Sequence, residues 1–151
     1  MNQLNFPHFD AQRRVLNGKH YIFDVIRKKY IILTPEEWVR QHLIHFLVNQ
    51  RHCPKGLIAV ERGLKFNGLL RRFDVVVYYS NRKPFLIAEC KAPEVPVTQH
   101  TFDQIARYNM SLQVPFLLVT NGIRHFCCKI DYEHQSYIYL PDVPDYENRD
   151  E

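Results

Sequence analysis

At 151 residues, with 46% hydrophobic and 24% charged side chains, the chain is long enough to bury one sizeable core and short for two. No apolar run approaches the roughly 20 residues of a membrane-spanning helix, and the N-terminal "MNQLNFPHFDAQRR" lacks an apolar signal-peptide core. These features set aside an integral helical membrane protein, while a formal charge of +4 suits a polyanionic partner without requiring one.

A cytosolic location is the expectation that follows. Four cysteines occur, Cys53, Cys90, Cys127 and Cys128, with no C-x2-C spacing of a zinc site, so all four read as reduced thiols. There is no repeat, no low-complexity tract and no Gly/Ser linker, and glycines number five. One domain over residues 1–151 is expected, and the last residues of an acidic, Pro-broken tail over about 141–151 are expected to fray.

In chain order, "HYIFDVIRKKYIIL" reads as a β-hairpin over about 19–33, turning at "RKK". "TPEEWVRQHLIHFLVNQ" follows as a helix: Thr34 caps it, Pro35 takes its first position, and Glu36 and Glu37 complement its dipole. Val39, Leu43, Phe46 and Leu47 give that helix an apolar face. "GLIAVERGLKF" is a strand ending in the turn Asn67-Gly68, "RRFDVVVYYS" a second strand, and "KPFLIAECK" a third after a turn around Asn81 and Arg82. "VTQHTFDQIARYNMSL" is a second helix capped by Thr98. "PFLLVTNG" is a wholly apolar strand of the kind buried on both faces, and "HFCCKID" and "SYIYL" are two more. The prediction is an α/β or α+β domain, a mixed sheet flanked by helices with extra strands at both ends.

Charge inside the strands is the informative anomaly. Along "FLIAECK" side chains alternate, so Glu89 and Lys91 share one face and Ala88 and Cys90 the other. If the second and third strands form a hairpin about Asn81 and Arg82, Asp74 reaches the level of Glu89. An isolated E-x-K is most often an ion pair or a solvated face, and a single strand-start Asp is often a turn residue. Here an acid and an E-x-K fall on consecutive strands after a helix that opens with two glutamates. Two close carboxylates repel and raise each other's pKa unless a cation lies between them. Such an oxygen-rich site suits Mg²⁺, and a neighbouring lysine can orient water or offset charge on phosphorus.

Asp74, fourteen residues and then Glu89-Cys90-Lys91 resembles the PD-(D/E)xK nuclease superfamily, whose core has the same order of helix, three strands, helix, strand (αβββαβ, restriction-endonuclease-like). "LTPEEWVRQHLIHFL", "RRFDVVVY", "PFLIAECKAP", "DQIARYN" and "LLVTNG" together resemble the N-terminal nuclease domain of type I restriction enzyme R subunits, over a core of about residues 34–122. The resemblance implies that Asp74 and Glu89 bind metal with the backbone carbonyl of Cys90, and that Lys91 is the catalytic lysine. It also implies a metal contact from the first helix, by Glu36 or Glu37, and a Q-x-x-x-Y pair, Gln104 and Tyr108, on one face of the second helix. The alternative for that pair is an amide and a phenol on an ordinary amphipathic helix. Phe73 stands where the superfamily name has proline.

The implied activity is a Mg²⁺-dependent DNA endonuclease, with Mn²⁺ as substitute ion and a metal-activated water attacking phosphorus in line. RNA stays open as substrate, and a homodimer is one way to cut both strands of a duplex. The sequence holds no G-x-x-x-x-G-K-[ST] phosphate loop, so a translocating motor or specificity subunit would be a separate partner. The rival expectation is a catalytically silent module that binds DNA or recruits a partner. His42 and His45 read as packing or surface residues, not zinc ligands. Arg71, Arg72, Lys65 and Arg124 stand where a phosphate backbone could approach, with solvated surface charge as the equal alternative. Tyr78, Tyr79, Tyr137 and Tyr139 read as strand packing, with a base-stacking platform as the lesser alternative.

Overall fold

A computed structural model describes residues 1 and 3–149. Strands β1 (Arg13–Leu16), β2 (Lys19–Asp24) and β3 (Lys29–Ile32) make a small antiparallel sheet of their own. The hairpin expected over 19–33 thus gains a third strand. Its turn is Asn17-Gly18, with φ of 51° and 74°, the left-handed pair that a two-residue hairpin loop requires.

Helix α1 (Pro35–Gln50) begins as expected, with the Glu37 N–H donating to Thr34 Oγ1 at 3.0 Å. A short 3₁₀ turn at Lys55–Leu57 leads into β4 (Ile58–Phe66), β5 (Leu69–Tyr78) and β6 (Pro84–Cys90). Helix α2 (Gln99–Asn109), capped by Thr98, then crosses to β7 (Phe116–Thr120), followed by β8 (His125–Asp131) and β9 (Ser136–Leu140). These six strands form one sheet in the order β4-β5-β6-β7-β8-β9, parallel at β6–β7 and antiparallel elsewhere. This is the mixed α+β architecture expected, and neither helix is long and apolar enough to cross a membrane.

The sheet is covered on both faces. Val39, Leu43 and Leu47 of α1 pack on Val75, Val77, Leu86, Ala88 and Leu118, while Phe102 and Ala106 of α2 pack on Val76, Ile87, Leu117 and Val119. Double coverage explains why the second half of β5 and most of β6 and β7 are apolar runs instead of alternating patterns. Cys127 and Cys128 fall in opposite layers, and all four thiols are free and buried.

Two details depart from a simple amphipathic reading. Besides its apolar face, α1 buries Glu37, Arg40 and Gln41, because the β2–β3 turn closes over its first half with Arg27. The C-terminal tail is also pinned: Tyr146 donates its N–H to the Arg51 carbonyl at 2.9 Å and its hydroxyl to the Tyr78 carbonyl at 3.1 Å, and Val143 is buried. Asp150 and Glu151, where fraying was expected, lie outside the described residues.

Candidate active site

The β5–β6 ladder runs from Tyr78–Pro84 to Val75–Ala88 and then stops. The Asp74 carboxylate fills the opening, Oδ2 accepting the Cys90 backbone N–H at 2.7 Å. Strand β6 meanwhile stays paired with β7, Glu89 opposite Val119 and Cys90 opposite Thr120, and the Lys91 N–H donates to the Thr120 carbonyl at 2.8 Å. A side-chain hydrogen bond therefore replaces a ladder bond and draws the acid of β5 onto the Glu89-Cys90-Lys91 end of β6. The backbone of Cys90 meets this site; its thiol is buried in the core, and burial holds it protonated, well above its ordinary range.

The electrostatics of the cluster are those of a place short of positive charge. Burial raises the Asp74 carboxyl above its ordinary value and Glu61 adds to this, against the Cys90 N–H, Arg40 and Lys91. Burial also raises Glu89, with Asp74 adding and Lys91 opposing. Glu36 is raised by partial desolvation and by Asp74, with Arg40 and Lys91 opposing. Asp74 and Lys91 thus act on both Glu36 and Glu89.

Of the two helix glutamates, Glu36 shares this environment. Glu37 is committed elsewhere: it takes Arg40 Nη2 at 2.7 Å, Arg40 Nε and Gln41 Nε2 at 3.0 Å each, and Arg27 Nη2 at 3.1 Å. Burial would raise its carboxyl, but these hydrogen bonds and charges hold it below its ordinary value.

Arg40 and Glu61 are neighbours that the sequence reading did not single out. Arg40, 7% exposed at its side chain, lies 3.4 Å from Asp74 Oδ1 and 3.3 Å from Glu61 Oε1. Glu61 adopts a left-handed φ of 52° within β4, and it and Asp74 drop out of a register that is otherwise continuous from Ile58–Val77 to Phe66–Leu69. The signal was available: Glu61 stands six residues before Asn67 and Asp74 six after Gly68, so the hairpin sets them opposite. Arg40 is three residues after Glu37, a spacing that faces the two together on a helix.

Gln104 and Tyr108, four residues apart on α2, are both exposed. Tyr108 is tied to β5, with the Arg71 guanidinium stacked 3.3 Å from its ring centroid and donating to its carbonyl. Arg71 and Arg72 are thereby partly spoken for, Arg72 donating to the Glu61 carbonyl at 3.2 Å. His42 is buried, one ring nitrogen 2.8 Å from the Trp38 carbonyl. Tyr78 and Tyr79 pack on the two cores, and Tyr137 and Tyr139 both donate to Asp103.

Among the described residues no three His, Cys, Asp or Glu side chains are gathered tightly enough to enclose an ion. Mg²⁺ asks for less, one or two carboxylates with water and substrate oxygen completing its shell. Asp74 and Glu89, hard-oxygen donors whose carboxyls are raised by crowding and burial, fit that demand.

The fold and cluster together define an α+β domain with a charged site where two core strands part. Residues 35–144 match the family described as type I restriction enzyme R protein N terminus, and the chain belongs to that family. The matched stretch runs from the start of α1 past β9, and so includes every residue of the cluster except those on the N-terminal sheet. No curated relative matches the chain.

Proposed function

We propose that this domain is a Mg²⁺-dependent DNA endonuclease of a restriction system, with Asp74, Glu89 and Lys91 at its centre. The supporting observation is the Cys90 N–H bond to Asp74, which joins the acid of one strand to the E-x-K end of the next at the point where they part. Asp74, Glu89 and the Cys90 carbonyl would hold the ion, Mn²⁺ serving as substitute, with Glu36 in reach of the same charges. When bound, the ion supplies positive charge to the phosphodiester and lowers the pKa of water.

The chain's own groups supply the rest. Lys91 presents a compact point charge to the negative charge that grows on phosphate oxygens, and its backbone is fixed by β7. Arg40 holds Asp74 and Glu61 in place from the buried side. In this reading Gln104 and Tyr108, exposed on α2, would meet the substrate backbone. DNA is the proposed substrate, with motor or specificity subunits as partners in the cytosol.

The test is calorimetric titration of Mg²⁺ and Mn²⁺ into the wild type and Glu89→Ala, followed by incubation of the same samples with linear, circular and single-stranded DNA. Metal binding and metal-dependent cutting by the wild type, both lost in Glu89→Ala, are the expected results. Cutting by an Asp74→Ala/Glu89→Ala double variant would refute the site. A wild type that binds no metal would leave the silent DNA-binding or partner-recruiting module as the better reading.

A further inference from the structure

The N-terminal sheet presents an outer face that neither core uses. Ile22 and Asp24 of β2 are fully buried, so the face they share points inward, and Arg13 on it lies over the Trp38 ring of α1 at 5.4 Å. Alternation and register then put Tyr21 and Phe23 of β2, Arg14 of β1, Tyr30 of β3 and Lys19 on the opposite face. The contacts agree: the Arg14 guanidinium sits 4.2 Å from the Tyr30 centroid, and Phe23 meets Tyr30 edge-on at 5.3 Å. Tyr21, Phe23 and Tyr30 belong to neither core cluster.

Charge gathers at the same place. Residues 1–33 hold six Lys and Arg against two acids, a formal +4 that equals the charge of the whole chain; the remaining residues balance at fourteen of each sign. One of the two acids, Asp24, is buried and paired with Arg27 at 2.6 Å. Arg14 and Lys19 on that face, with Lys28 and Lys29 at the end of the sheet by the β2–β3 turn, are exposed and meet no carboxylate among the described residues.

We infer that this face is a stacking platform for unpaired bases, so that the domain engages its nucleic acid with a single-stranded segment against the N-terminal sheet. This rests on the nuclease reading and names the form of substrate it takes. Aromatic faces interleaved with bases are what a single strand needs: rings stack on exposed bases while cations follow the phosphates. In a duplex the bases already stack on each other and leave only edges and phosphates to meet. The sheet that carries the platform is tied to the surroundings of the proposed site by its β2–β3 turn, where Arg27 reaches Glu37 at 3.1 Å and Glu61, the neighbour of Arg40 beside Asp74, at 3.9 Å.

The test is fluorescence anisotropy in EDTA, with a labelled oligothymidylate of about 15 nucleotides and a duplex of equal length. The single strand binds more tightly than the duplex. Tyr21→Ala/Tyr30→Ala weakens single-strand binding on the order of tenfold or more, while Tyr21→Phe/Tyr30→Phe does not. Arg14→Ala/Lys19→Ala flattens the salt dependence. If the alanine pair fails to fold, Tyr21→Leu/Tyr30→Leu keeps apolar bulk without the ring face and loses binding equally. A wild type that does not bind the oligonucleotide, a folded alanine pair that binds like wild type, or a preference for duplex overturns the platform. Binding through these tyrosines without cutting on any substrate would keep the platform and refute the nuclease; cutting with platform-independent binding would do the reverse.

Discussion

Arg40→Met removes the guanidinium that Glu37, Glu61 and Asp74 share, and its cost can be worked from the geometry. Arg40 and Glu37 are 7% and 4% exposed at their side chains and meet through two hydrogen bonds, at 2.7 and 3.0 Å. Breaking a buried pair by deleting one member costs about 3–5 kcal/mol, mostly from the charge left behind. Glu37 keeps Arg27 and Gln41, so the loss falls to about 2–3 kcal/mol, or roughly 4–12 °C in Tm for a domain of this size. Urea unfolding at neutral pH, with an unchanged m-value, measures it. The double variant Arg40→Met/Glu37→Gln should recover a large part, because the Glu37 charge is then no longer stranded.

The pH dependence has a definite sign. Glu37 is held below its ordinary value of 4.5, so its stabilisation is present above that pH and is lost as the pH falls through the folded value. The gap between wild type and Arg40→Met therefore narrows in acid. A single variant within about 0.5 kcal/mol of wild type, or a double variant no better than the single, would refute a buried network.

Glu89→Gln should raise the Tm of the metal-free protein at pH 7 and abolish the rise that Mg²⁺ produces in the wild type. A carboxyl held above its ordinary value contributes most below that value and loses its contribution as pH rises, so the variant's advantage disappears in acid; a destabilised variant at pH 7 would contradict this. Gly122→Ala should destabilise by about 2 kcal/mol or more in urea unfolding. Gly122 sits at φ 85°, and an added Cβ would stand 2.8 Å from Leu4 Cδ2 and 3.1 Å from Val39 Cγ2; a neutral result would mean that the N-terminal segment is not packed there.

Much of this protein is legible in one dimension. Thr34-Pro35, Thr98 and Asn67-Gly68 mark where elements begin and turn, because caps and tight turns depend on a few adjacent residues. The apolar runs of β6 and β7 announce a sheet covered on both faces. Asp74 could be placed beside Glu89 because strand pairing is arithmetic once a turn is located, and the structure adds the Cys90 N–H bond that joins them. Strand β1 escaped notice because Arg13–Leu16 is short and exposed throughout, with no burial pattern to read.

Charge partnership was decided only in three dimensions. Glu36 and Glu37 are neighbours on one helical turn, yet Arg27, ten residues before Glu37, captures one and leaves the other facing Asp74 and Lys91. Arg40 finds Asp74 across thirty-four residues and Glu61 across twenty-one. The aromatic residues of the N-terminal sheet likewise read as strand formers until the register put them on a face with no core behind it. Periodicity encodes which side of an element is apolar. Which charge meets which depends on ångström separations between segments far apart in the chain, and folding alone supplies those distances.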